Sequence, residues 1–157
     1  MARGAHAPRA IVLLFLGACA GSDAVSSTPV VYVAQLRGVN EVPVVGTSAT
    51  GTATVTVAGA SARYTVTASG FATTLNVGHI HIGGPGVIGP VIVPFTIVAQ
   101  TGTVATGSID LAAPITFNTI TISGDSLRSL FESGQAYVNL HSAAAPGGEI
   151  RGQILRK

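Results

Sequence analysis

The stretch Asn76-Val77-Gly78-His79-Ile80-His81-Ile82-Gly83-Gly84-Pro85-Gly86 decides how the rest of the chain is read. Isoleucines alternate with histidines across 79–82, and the run ends in a Gly/Pro cluster. That is the pattern of a short β-strand entering a tight turn. A side-chain period of two puts His79 and His81 on one face and Ile80 and Ile82 on the other. Two imidazoles at i and i+2 are either half of a metal site or a polar pair on a wet face.

Similar alternation recurs on both sides of this stretch. Upstream, 30–36 reads as a strand. An irregular run follows at 37–44, where Gly38 and Pro43 predict a bend or bulge at a sheet edge. Residues 50–57 place Thr50, Thr52, Thr54 and Thr56 opposite Gly51, Ala53, Val55 and Val57, and a turn at 58–61 pairs them with 63–68 as a hairpin. Downstream, 91–98 reads as a strand that Pro94 assigns to an edge or bulge, and 102–110 as another. Residues 116–122 fit strand and loop equally. The one helical signal is 125–131, with Ser123 or Asp125 as cap, Leu127, Leu130 and Phe131 as apolar stripe and Gly134 as terminator. Strands at 135–141 and 149–154 close the chain. In the last, Ile150 and Ile154 face the core, opposite Glu149, Arg151 and Gln153. Seven to nine short strands with Gly-rich turns and one short helix predict an all-β fold, an antiparallel Greek-key-like sandwich or flattened barrel.

Composition narrows the function. Only 9% of the 157 residues are charged. The formal charge of +2 comes from Arg3 and Arg9; beyond them the basic and acidic residues balance and are scattered. Nothing forms the basic stripe of a nucleic-acid binder. No Gly-x-Ser-x-Gly elbow or phosphate-loop lysine is present, and a carboxylate pair would have only Glu41 and Glu149 to draw on, so no catalytic residues are assigned.

Arg3, His6 and Arg9 precede the apolar run 11–16, which is too short to span a membrane and has the layout of an export signal. Leu16-Gly17-Ala18-Cys19 resembles the bacterial lipobox. That resemblance implies a signal peptide at 1–18, a lipid on Cys19, a flexible tether at 19–29 and a folded domain at 30–157. With no Asp beside Cys19, the outer membrane of a Gram-negative host is the expected address, and secretion is expected if Cys19 carries no lipid. Cys19 is the only cysteine, so no intrachain disulfide exists.

Four ordered segments resemble the CHRD (chordin) domain family. These are Leu36-Arg37-Gly38-Val39-Asn40-Glu41-Val42-Pro43, Gly78-His79-Ile80-His81-Ile82-Gly83, Tyr137-Val138-Asn139-Leu140-His141-Ser142 and Pro146-Gly147-Gly148-Glu149-Ile150-Arg151-Gly152-Gln153. The match covers about residues 30–155 and marks Asn40, Glu41, Pro43, Asn139 and Arg151 as structural motif positions. A more distant resemblance is to copper/zinc superoxide dismutase, whose His-x-His strand and later histidine-bearing strand are similar in order to His79, His81 and His141. The chain lacks that enzyme's bridging histidine, its other zinc ligands and its disulfide pair, so dismutation is not expected.

His79, His81 and His141 are the three histidines beyond the leader. Gathered together they offer three nitrogens to copper or zinc, with Glu149 as fourth ligand or as acceptor from an imidazole N–H. Glu41 is expected either on solvent or fixing its loop by accepting backbone N–H groups or pairing with Arg151, while Asn40 and Asn139 satisfy irregular backbone. The expected function is a non-catalytic binding or structural module anchored to the cell envelope, with an envelope protein or polymer as partner. The alternatives are a copper- or zinc-binding periplasmic protein and a copper-dependent oxidoreductase at the same histidines.

Overall fold

In the computed structural model Met1 and residues 28–157 are described. The export signal, Cys19 and nearly all of the tether expected above lie outside the described residues. Eight main strands follow the predicted alternation: β1 (Val30–Arg37), β2 (Thr50–Ala58), β3 (Ser61–Ser69), β4 (Leu75–Ile82), β5 (Val91–Phe95), β6 (Gly102–Asp110), β9 (Ala136–Ser142) and β10 (Ile150–Gln153). Short pieces complete the chain: β7 (Ile115–Phe117), β8 (Ile120–Ile122), helix α1 (Gly124–Glu132) and β11 (Leu155–Arg156).

The main sheet runs β5-β4-β9-β10-β1-β2-β3-β6, every pair antiparallel. Chain order departs from spatial order where β3 pairs with β6 and β4 lies toward the other edge, as in a Greek key. The sheet curls until its edges meet. Tyr64 of β3 stacks on Phe95 of β5 with centroids 4.6 Å apart, and the Val98 N–H donates to the Val104 carbonyl of β6 at 2.9 Å. The result is a near-barrel of the expected all-β class.

Inward residues of successive strands fill the interior. Leu36, Val55, Val66, Ile80, Ile92, Leu140 and Ile150 are all essentially solvent-free, each worth roughly 1.5–3 kcal/mol of burial. Helix α1 closes one end. Ser123 is its cap, accepting the Ser126 N–H at 3.0 Å, which stabilises by about 1 kcal/mol. Leu127 and Phe131 point inward, and Phe131 meets Tyr32 at 5.6 Å. The Tyr32 hydroxyl donates to Glu132 at 2.6 Å, and burial together with that carboxylate pushes its pKa up to about 12.

Two details go beyond the sequence expectation. The ambiguous 116–122 segment is a two-stranded hairpin, β7–β8, turning at Asn118 with φ 52°. Leu155 and Arg156 add the short strand β11 to β1, with Tyr32 opposite Arg156. Ile154 is fully buried, so the chain dips inward there and then rejoins β1 beyond the end of β10.

Candidate metal centre

His79 and His81 project from the outer side of β4, opposite the buried Ile80, as the period of two requires. Antiparallel register places β9 beside them: Val77 faces His141, His79 faces Asn139, and His81 faces Tyr137. On the next strand Arg151 faces Asn139 and Gln153 faces Tyr137. A patch of polar side chains therefore covers the outside of β4, β9 and β10. It is nevertheless buried: His81 is 8% exposed, Asn139 5% and Arg151 3%.

Three loops roof this patch. The 83–90 loop turns back over β4, and its backbone is tied down by the patch itself. Tyr137 Oη accepts the Gly89 N–H at 3.1 Å. Arg151 Nη2 donates to the Gly84 carbonyl at 2.9 Å, and Gln153 Nε2 to Gly83 at 2.7 Å. The 38–49 loop starts with a 3-10 turn at Gly38–Asn40. Asn40 Nδ2 donates to the carbonyls of Arg151 and Gln35, at 3.0 and 3.3 Å. The 143–149 loop hangs on Glu149, whose carboxylate accepts from Thr47 at 2.6 Å and from Ser142.

Under the roof, one ring nitrogen from each of His79, His81 and His141 lies within 4.8 Å of the others. The ring protons can be assigned because two nitrogens face groups that only accept. His81 Nδ1 is 2.9 Å from the Gly89 carbonyl, and His141 Nδ1 is 2.9 Å from the Pro146 carbonyl. Both Nδ1 atoms therefore carry hydrogen, and both Nε2 atoms carry a bare lone pair. His81 Nε2 is buried with no partner. His141 Nε2 stands 3.2 Å from His79 Nδ1, which donates the hydrogen between them. All three imidazoles are held neutral. Burial is the main cause in each; it and the neighbouring His141 and His81 lower His79 to about 4, and His81 and His141 are also shifted down.

The structure thus brings the three histidines together and leaves Glu149 outside their cluster, both its oxygens occupied by hydroxyls. The imidazole acceptor expected of Glu149 is the Pro146 carbonyl, and Glu149 anchors the loop that presents it. Glu41 is also buried, at 6% exposure. Its Oε2 accepts from Asn139 Nδ2 at 3.4 Å, while Oε1 has no partner. Burial pushes its pKa up to about 7, against the opposing pull of Arg151, Asn139 and the Val42 N–H. No Glu41–Arg151 contact closes within 4 Å among the described residues, whose two ion pairs are Arg128–Asp125 and Arg156–Glu132. Asn40 is the residue that staples the irregular loop to β10. Pro43 follows a cis peptide bond in that same loop.

Sequence reasoning missed Tyr137. Its ring stacks on His81, with centroids 4.7 Å apart and an 11° tilt, and the Arg151 guanidinium sits 3.4 Å from its centroid. The signal was available in the register, because an outward residue on β9 two before Asn139 must lie beside His81.

Fold and site together define a class: an all-β antiparallel near-barrel with a roofed three-imidazole cluster on its flank. A family model for the CHRD domain matches residues 32–154, and the chain belongs to the CHRD domain family. Membership points to an extracellular binding or structural module in a non-enzymatic family. No curated protein and no solved structure matches the chain significantly. The segments that carry the family resemblance, around Asn40, His79, Asn139 and Arg151, all converge on the roofed patch.

Proposed function

We propose that this domain is a metal-binding module of the cell envelope in which His79, His81 and His141 hold one copper or zinc ion without turnover. The observation that carries this reading is the proton arrangement. Backbone carbonyls fix the tautomers of His81 and His141; the Nε2 lone pair of His81 has no protein partner, and that of His141 faces only the ring of His79. That is the outer-sphere pattern that orients metal-ligating histidines. Neutral imidazoles also need to lose no proton to bind. With the His79 hydrogen moved from Nδ1 to Nε2, the 3.2 Å between His79 Nδ1 and His141 Nε2 is close to the edge of roughly 3.3 Å in a tetrahedron with bonds of about 2.0 Å. His81, whose ring nitrogen lies within 4.8 Å of the other two, closes the set by rotation of its side chain.

Export and lipid anchoring through Cys19 complete the proposal. No helix among the described residues is long and apolar enough to cross a membrane; the acylated cysteine would supply the attachment. Two experiments test the two halves. Titration of the purified domain with Cu(II), Zn(II) and, under anaerobic conditions, Cu(I) should give one site, lost in His79→Ala; binding of all three no tighter than about millimolar overturns the metal reading. Cys19→Ser should accumulate precursor and leave the membrane fraction, whereas normal processing removes the anchor.

A further inference from the structure

The cluster itself is made of imidazoles alone. Among the described residues no carboxylate or thiolate joins the cluster. Glu149 is occupied by Thr47 and Ser142, and Glu41 turns to Asn139. A fixed cation stands behind Tyr137. Strand β9 lies between β4 and β10, so the Tyr137 ring stands between His81 and the buried Arg151 guanidinium. Arg37, opposite Arg151 on β1, is a second positive charge on the same side.

We propose that the site is built for monovalent copper, with Arg151, acting through Tyr137, as the residue that disfavours divalent ions. The proposal rests on the three-histidine reading. An entering ion adds its charge to a pocket of neutral ligands backed by a fixed cation, and Coulomb repulsion doubles from a monovalent to a divalent ion. Divalent sites offset that charge with a carboxylate or thiolate ligand, or with a bound hydroxide. Here the first two are absent from the cluster. Cu(I) requires none of these, and three neutral nitrogens complete a trigonal shell for it. Tyr137 also fixes the geometry, since its hydroxyl holds Gly89, whose carbonyl holds the His81 proton. Arg151 is thus a positioning and selectivity residue and touches no metal.

The test uses the full chain with anaerobic chelator competition for Cu(I) and parallel competitions for Cu(II) and Zn(II). Cu(I) should bind at least about 100-fold more tightly than either divalent ion. Arg151→Gln should narrow that ratio about tenfold, which is a fall of about 59 mV in the potential of bound copper, and Arg151→Lys should keep it. A second variant serves if Arg151→Gln fails to fold. Val77, partly exposed and directly opposite His141, can be replaced by Glu to supply the missing carboxylate. Val77→Glu should raise Zn(II) affinity about tenfold and leave Cu(I) affinity nearly unchanged. Equal affinities for Cu(I) and Zn(II), or a ratio indifferent to Arg151→Gln, overturn the preference while the site stands. No binding of any ion to folded protein overturns the three-histidine reading and the preference with it.

Discussion

The outside of the barrel has two halves that differ far more than their interiors do. On β2, β3 and β6 the outward residues are hydroxyls in register: Thr52, Thr67 and Thr103 form one row, and Thr54, Thr65 and Thr106 the next. No loop covers them. On β4, β9 and β10 the outward residues are histidine, tyrosine, asparagine, arginine and glutamine, and three loops fold over them. The inward sides of both halves alternate alike, so the interior does not explain the roof. The outward side chains do. The threonine hydroxyls bond within their own strands and neighbours, as Thr67 to Thr52 and Thr106 to Tyr64, whereas Tyr137, Arg151 and Gln153 reach backbone groups of a crossing loop and hold it. Once the loop is down, each buried polar group must have a partner or a purpose.

Five substitutions probe this contrast. The largest effect is expected at Gly89, where an added Cβ would overlap the Ile82 carbonyl. Gly89→Ala should cost about 3 kcal/mol or more in urea unfolding and abolish metal binding. Gly147→Ala, in another roofing loop with open space around it, should sit close to wild type.

Glu41→Gln comes next. The folded pKa of Glu41 is raised from 4.5 to about 7, so the folded state holds the proton more tightly than the unfolded one. Its contribution to stability is complete below pH 4.5 and is lost as pH rises through 7. The variant should therefore match wild type near pH 4.5 and exceed it by about 2–3 kcal/mol at pH 8. A pH-independent difference between the two would show that Glu41 is ionised throughout.

The histidines should act in the opposite sense. The folded pKa of His79 falls from 6.5 to about 4, so the unfolded chain takes up the proton first and stability declines as pH drops across that window. His79→Gln should flatten this acid limb by about 1–2 kcal/mol, read from unfolding midpoints between pH 7 and 4. The smallest change is expected on the bare half. Thr65→Ala should shift stability by less than about 1 kcal/mol at any pH, and a larger effect there would erase the distinction between the halves.

Much of the barrel was legible because alternation is a local signal. Thr50 to Val57 announced both faces of β2, and Asp125 to Phe131 announced the helix. His79 and His81 could be placed on one face for the same reason, and the family resemblance supplied His141 on a later strand. The roof was not legible. Nothing near His81 in sequence tells that Gly89, eight residues on, returns to take its proton, or that Pro146 does the same for His141. Nor did Glu149 reveal that its carboxylate would be taken by Thr47, 102 residues away. These contacts depend on where long irregular loops come to rest, which periodicity does not encode.

Pro94 on the edge strand β5 lies directly opposite His79. A foreign strand joining that edge would need an N–H at this point, and proline has none to give. The ring beside His79 thus also keeps neighbouring chains from stitching onto the barrel at that point.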